Sequence, residues 1–144
     1  MLQIKVVNSS SYPLPRYQTE GSSGLDLHAV LGEQVKLKPL ERKLIPTGLY
    51  IEIPEGYEAQ VRSRSGLAVK HGIFCLNSPG TIDSDYRGEI KVILMNLSDQ
   101  EFIIENNDRI AQLVFCKIEK ITWLAAETVD NTNRGGGGFG HTGK

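Results

Sequence analysis

Apolar and polar residues alternate in short runs along most of this chain. Residues 2–7, Val35 with Leu37, and Leu49, Ile51 and Ile53 each follow a two-residue period. That period marks strands with one buried face. Residues 57–61, 90–97, 101–105, 112–118 and 124–129 predict further strands, and 21–30 is a small-residue loop opening into another. Turn chemistry separates them: Pro54-Glu55-Gly56, Asn106-Asn107-Asp108, and the punctuating Pro39 and Pro46. The 12–17 segment carries Pro13 and Pro15 and cannot be central sheet, because proline lacks the ladder donor. One helix is predicted, over 63–72, about two turns long, with a serine to cap it and Gly72 to end it. Strands recurring about every ten residues, with no strand–helix–strand alternation, argue an all-β sandwich or barrel.

Two stretches fall outside this alternation. Residues 81–90, T-I-D-S-D-Y-R-G-E-I, are polar and charged, yet sit between the apolar runs 73–76 and 90–94. Pro79-Gly80 and Gly88 are turn signals, so the segment reads as a hairpin tip. Such a tip can hold a carboxylate base beside a flat ring, or it can be ordinary solvated surface. From Asp130 the pattern stops, giving a β domain over 1–130 and a glycine-rich arm over 131–144 that cannot bury a core and is expected to be mobile. Residues 138–144, G-F-G-H-T-G-K, imitate phosphate-loop and dinucleotide motifs, but no helix follows to complete either. What the arm does offer is close backbone approach to an anion, the charges of Arg134 and Lys144, and Phe139 to stack on a base.

Composition narrows the classes. The 144 residues suit one domain, and 40% hydrophobic content suffices for a core. Lys+Arg 16 against Asp+Glu 17 gives a net charge of -1, so no stable nucleic-acid binding is expected. No apolar run approaches the ~18 residues of a membrane span. The N-terminus lacks a signal-peptide core. Cys75 and Cys116 are isolated in apolar runs and read as buried thiols of a reducing, intracellular compartment: cytoplasm, or nucleus in a eukaryote. His28, His71 and His141 show no metal-ligand spacing. Arg64-Ser65-Gly66 at the helix start is either an anion cradle or a plain helix entrance. Arg109 and Gln112 at a strand entrance read as structural. Asp26, in the apolar Leu25-Asp26-Leu27, needs a partner, either an arginine or a hydrated cation.

The order of these weak signals is more telling than any one. G-S-S-G-L-D-L-H-A (21–29), R-S-G-L-A (64–68), G-T-I-D-S-D-Y-R-G-E (80–89), R-I-A-Q-L-V (109–114) and R-G-G-G-G-F-G-H-T-G (134–143) resemble the five motifs of the trimeric dUTPases. The resemblance implies a distorted jelly roll, or β-clip, with one short helix and a flexible C-terminal arm. It implies hydrolysis of dUTP to dUMP and pyrophosphate with Mg2+, limiting uracil incorporation into DNA and supplying dUMP, in a homotrimer whose sites are shared between chains. By that resemblance Asp83 is the base that activates water and Tyr86 packs on the deoxyribose. Asn77 reads uracil with the hairpin backbone. Arg64, Ser65, Gly66 and Gln112 are phosphate ligands. Asp26 holds a water of the Mg2+ shell. Arg134, Phe139, Gly140 and Thr142 belong to an arm closing over a neighbour's site, with Phe139 stacking on uracil. His141 stands where the family usually has serine, and spacing alone does not choose Asp83 over Asp85. A dCTP deaminase of the same fold and a non-catalytic nucleotide-binding module are the competing readings.

Overall fold

Alternation becomes strands wherever a paired edge is available. The computed structural model describes residues 2–139. Along the described chain run β1 (Lys5–Asn8), β2 (Leu25–His28), β3 (Val35–Leu37), β4 (Arg42–Pro46), β5 (Leu49–Glu52) and β6 (Tyr57–Arg62), then α1 (Ser65–His71). After it come β7 (Ile73–Cys75), β8 (Gly80–Ile82), β9 (Lys91–Asn96), β10 (Phe102–Ile104) and β11 (Arg109–Lys117). Every strand pair is antiparallel. The sheets order as β2-β11-β6-β8, β4-β9-β7, β1-β5 and β10-β3. This is the all-β, jelly-roll-like architecture with one short helix that the sequence led us to expect.

The buried faces meet in one core. β9 alternates Val92, Leu94 and Asn96 inward, and β5 does the same with Leu49 and Ile51. Leu27, Ala111, Leu113, Ala59, Val61 and Ile82 come from the four-stranded sheet, Ile45, Ile73 and Cys75 from the three-stranded one, and Leu37 and Ile104 from β3 and β10. Burying a side chain such as leucine or isoleucine stabilises by about 1.5–3 kcal/mol. Asn96 is the polar member of this core, fully buried and fully satisfied. Its Nδ2 donates to the carbonyls of Leu37 (2.9 Å) and Gln100 (2.8 Å), and its Oδ1 accepts from the Ser98 N–H (2.9 Å) and hydroxyl (2.8 Å). It thereby joins β9 to β3 and to the turn before β10.

Four expectations need correction. The helix has no serine cap: Arg64 is the N-cap, with no side-chain cap bond, while Gly72 ends it at φ 65 as expected. The 124–129 strand does not form, because an extended segment needs a partner edge and residues 119–130 find none within the described chain. Trp123 and Leu124 are 93% exposed there and Val129 is 90% exposed. β4 was not expected; only Ile45 of its five residues is buried, so its period is hard to see. The apolar runs either side of the acidic stretch do pair, Cys75 opposite Leu94, but the segment between them is no tight tip. Its start, β8, crosses to the other sheet and pairs with β6. Both cysteines are free; Cys75 is buried, which pushes its thiol pKa up, whereas Cys116 is only half-buried.

Asn96→Leu is expected to destabilise the fold by about 2–4 kcal/mol, since it strands buried carbonyl and N–H groups at once. Urea unfolding monitored by circular dichroism checks it; a change under about 0.5 kcal/mol would show that these bonds are dispensable.

Candidate active site

β2 buries Leu27 and turns Asp26 to its other face. There the Asp26 carboxylate, 15% exposed, meets two guanidinium groups. Its Oδ1 accepts from Arg64 Nε at 3.1 Å and its Oδ2 from Arg109 Nη1 at 3.3 Å. Of the two partners left open by the sequence, arginine is the one found here. A bulge helps: β11 advances from Arg109 to Ala111 while β2 moves from His28 to Leu27. Bulges of this kind re-aim side chains beside functional sites. Arg64 also donates from Nη1 to the Arg109 carbonyl (3.0 Å), so its guanidinium is fixed at the mouth of α1. Ser65 and Gly66 follow, exposed, with first-turn N–H groups that no acidic or capping side chain occupies.

Gln112 lies between Asp26 and Arg62 in the sheet. Its Nε2 donates to the Ser63 carbonyl at 3.0 Å, and its Oε1 is packed against Gly24, where a Cβ would stand 2.5 Å away. Ser63 in turn accepts the Cys75 N–H on its hydroxyl (2.9 Å). Gln112, Ser63, Gln60, Arg62, Ser78 and Pro79 line a cleft of about 420 Å³. Asn77 opens the segment on its rim, its amide against Gly80, where a Cβ would sit 2.8 Å from Nδ2. Asp26, Arg64, Ser65, Gly66 and Gln112 thus gather around the β2-β11-β6 end and the helix entrance, with Asn77 against Gly80 at the start of β8.

Asp83 and Tyr86 do not join them within one chain. β8 runs antiparallel to β6, with Gly80 opposite Val61 and Ile82 opposite Ala59, which carries Asp83 about 13 Å along the strand from Arg62. Asp83 is exposed and lines a separate cleft of about 700 Å³ with Asp85, Arg87, Glu52, Glu58 and Lys120. This cleft is acidic. The Lys5 hydrogen bond holds the Glu52 carboxyl below its usual range, and Lys120 does the same for Glu55, so both stay ionised. The loop itself is tightly folded. The Tyr86 N–H donates to the Asp83 carbonyl (3.2 Å) and the Tyr86 hydroxyl to the Glu89 carbonyl (2.9 Å). The ring lies so close over Gly88 that any Cβ there would collide with the Tyr86 hydroxyl. Arg87 folds back on the carbonyls of Ser84 (2.7 Å) and Tyr86 (2.9 Å), stapling the loop.

Arg134 donates from Nε to Gly137 O at 2.8 Å in a local turn, and Phe139 is fully exposed at φ 52. Gly140, His141, Thr142 and Lys144 lie outside the described residues. Among the described residues no group of three or more His, Cys, Asp or Glu draws together to hold a metal ion. Sequence reasoning undervalued Arg109, whose pairing with Asp26 spans 83 positions, and missed Gly24 and Glu89, for which the only visible signal was their place inside the motifs.

Comparison with known proteins now adds to this geometry. The chain is 58% identical over 143 residues to a deoxyuridine 5'-triphosphate nucleotidohydrolase of Fusobacterium nucleatum, covering 99% of this chain and 98% of that one. It is 56% identical over 142 residues to the enzyme of the same name from Finegoldia magna, at 99% of both. Its structure superposes on the Staphylococcus bacteriophage 80alpha dUTPase with dUPNHPP at a TM-score of 0.84, with 25% identity over 99% of each chain. Residues 10–143 match the family model described as dUTPase, and the chain belongs to the dUTPase family.

Proposed function

We propose that this chain hydrolyses dUTP to dUMP and pyrophosphate by attack of water on the α-phosphorus. The observation that carries the reading is a cationic seat, Arg64 held by Asp26 at the helix entrance, on the same chain as an exposed carboxylate beside a pinned aromatic ring. A triphosphate concentrates negative charge, and fixed guanidinium and N–H groups offset it without reorganising during the reaction. Arg64, Ser65, Gly66 and the remaining Nε2 hydrogen of Gln112 bind it. Asp83 takes the proton of the attacking water. Tyr86 closes the space a 2′-hydroxyl would need, and Asn77 with the loop backbone pairs the uracil edge. Uracil's donor and acceptor pattern differs from cytosine's, so fixed groups reject cytosine by leaving buried partners unpaired.

The two halves of this machinery sit in different clefts of one chain, and the cleft of Asp83 is acidic, so it cannot seat a polyphosphate alone. That supports a homotrimer in which a neighbouring chain brings the cationic seat to Asp83. The stretch from 131 to 144 then acts as an arm over that site, with Arg134, Gly140 and Thr142 at the phosphates and Phe139 on the base. Mg2+ typically keeps several waters and takes one or two carboxylates plus substrate phosphates. Asp26 fits that donor set through a water, since its carboxylate keeps acceptor sites beyond the two guanidinium contacts. When bound, the ion neutralises phosphate charge. Free thiols and bacterial relatives support a reducing, cytoplasmic location.

Asp83→Asn is expected to keep nucleotide binding and lose about 10²–10⁴-fold in turnover, read as pyrophosphate release. Undiminished release would remove Asp83 as the base. Deleting residues 134–144 is expected to cripple hydrolysis while light scattering still reports a trimer of the shortened chains. Full activity in the shortened chain would take the arm out of the mechanism.

A further inference from the structure

The loop that carries Asp83 and Tyr86 is sewn to the turn between β4 and β5 by three bonds. Thr47, buried, donates its hydroxyl to the Ile90 carbonyl at 2.6 Å, and the Ile90 N–H donates to the Leu49 carbonyl at 2.8 Å. The third bond comes from a side chain: Glu89 Oε1 accepts the Gly48 N–H at 2.9 Å, while its other oxygen faces Lys91 Nζ at 3.5 Å. Gly48 is itself immobilised. It sits at φ +69, and its carbonyl accepts from both the Ser9 N–H (2.8 Å) and the Ser9 hydroxyl (3.0 Å). Glu89 is therefore clamped through its side chain and through the backbone that follows it. Its carbonyl is the acceptor for the Tyr86 hydroxyl at 2.9 Å. The ring has little other freedom, since it also lies against Gly88.

We propose that Glu89 is a positioning residue for sugar discrimination. Its carboxylate anchors the loop to Gly48, and its carbonyl thereby fixes the height of the Tyr86 ring. This rests on the reading of Tyr86 as the wall against a 2′-hydroxyl. Without the clamp the loop root rises, the ring loses its seat, and a ribonucleotide gains room. A glutamine keeps an acceptor oxygen for the Gly48 N–H; an alanine does not.

The test compares kcat/KM for dUTP and UTP in the full-length enzyme. Glu89→Ala is expected to lower the preference for dUTP about five- to tenfold, the effect of one lost buried hydrogen bond. Glu89→Gln is expected to restore most of it. Tyr86→Phe, which keeps the ring and deletes only the hydroxyl, is expected to lower the preference comparably and folds regardless of the clamp. The double variant Tyr86→Phe with Glu89→Ala is expected to be no worse than either alone, because both cut one linkage. An unchanged preference in Tyr86→Phe, or additive losses in the double variant, overturns the proposal. Tyr86→Ala separates the two ideas. If it relaxes sugar preference while Glu89→Ala and Tyr86→Phe do not, only the Glu89 linkage fails; if it leaves the preference intact, the sugar-wall reading fails and takes the linkage with it.

Discussion

A carboxylate withdrawn from water must be compensated, and at Asp26 two arginines do so. Desolvating one ion costs several kcal/mol, so a lone Asp26 at 15% exposure would weaken the sheet. Arg64 and Arg109 come from opposite sides of it, one from the helix entrance and one from the bulged start of β11. The pairing closes the end of the four-stranded sheet and simultaneously arrests a guanidinium in the open. The same contact that makes a polar residue tolerable in an apolar strand also fixes positive charge at the helix entrance. Structure and chemistry here draw on one set of atoms.

The opposite end of β8 is held differently. Backbone carbonyls, the Glu89 carboxylate and the Thr47–Leu49 turn aim Tyr86. That suits a loop carrying acids in an acidic cleft, where further fixed charge would repel an incoming phosphate or trap a cation. Arg87 fits the same pattern: although it is the cation nearest in sequence to Asp83, it is spent on the loop's own carbonyls. Positive charge for a phosphate at this cleft has to come from outside the loop, and the homotrimer proposed above would supply it from a neighbouring chain.

How much of this was legible depended on range. β5 and β9 announced themselves because their burial alternates residue by residue. The glycine that ends α1 was legible for the same local reason. The start of α1 was not: the N-cap is Arg64, a donor-only side chain that cannot cap the helix and is bound instead to Asp26, 38 positions earlier. The supposed 124–129 strand has the right residues but no edge beside it, and pattern cannot report the lack of a partner. The acidic stretch stood out by composition, yet its geometry could not be read, since β8 deserts the hairpin for the other sheet. Among the motif residues, type and order carried the resemblance, whereas Glu89 finds its contact 41 positions away at a glycine no pattern would choose.

Gly24 lies so near Gln112 that the two positions behave as a single lock. A methyl at 24 would evict the amide that Ser63 holds, and a shorter residue at 112 would leave a hollow beside a glycine that no longer needs to be one. Drift at either position is therefore conditional on the other. Within the family, larger residues at 24 should be found only alongside a changed partner at 112, a trace of steric contact written into ancestry and not into catalysis.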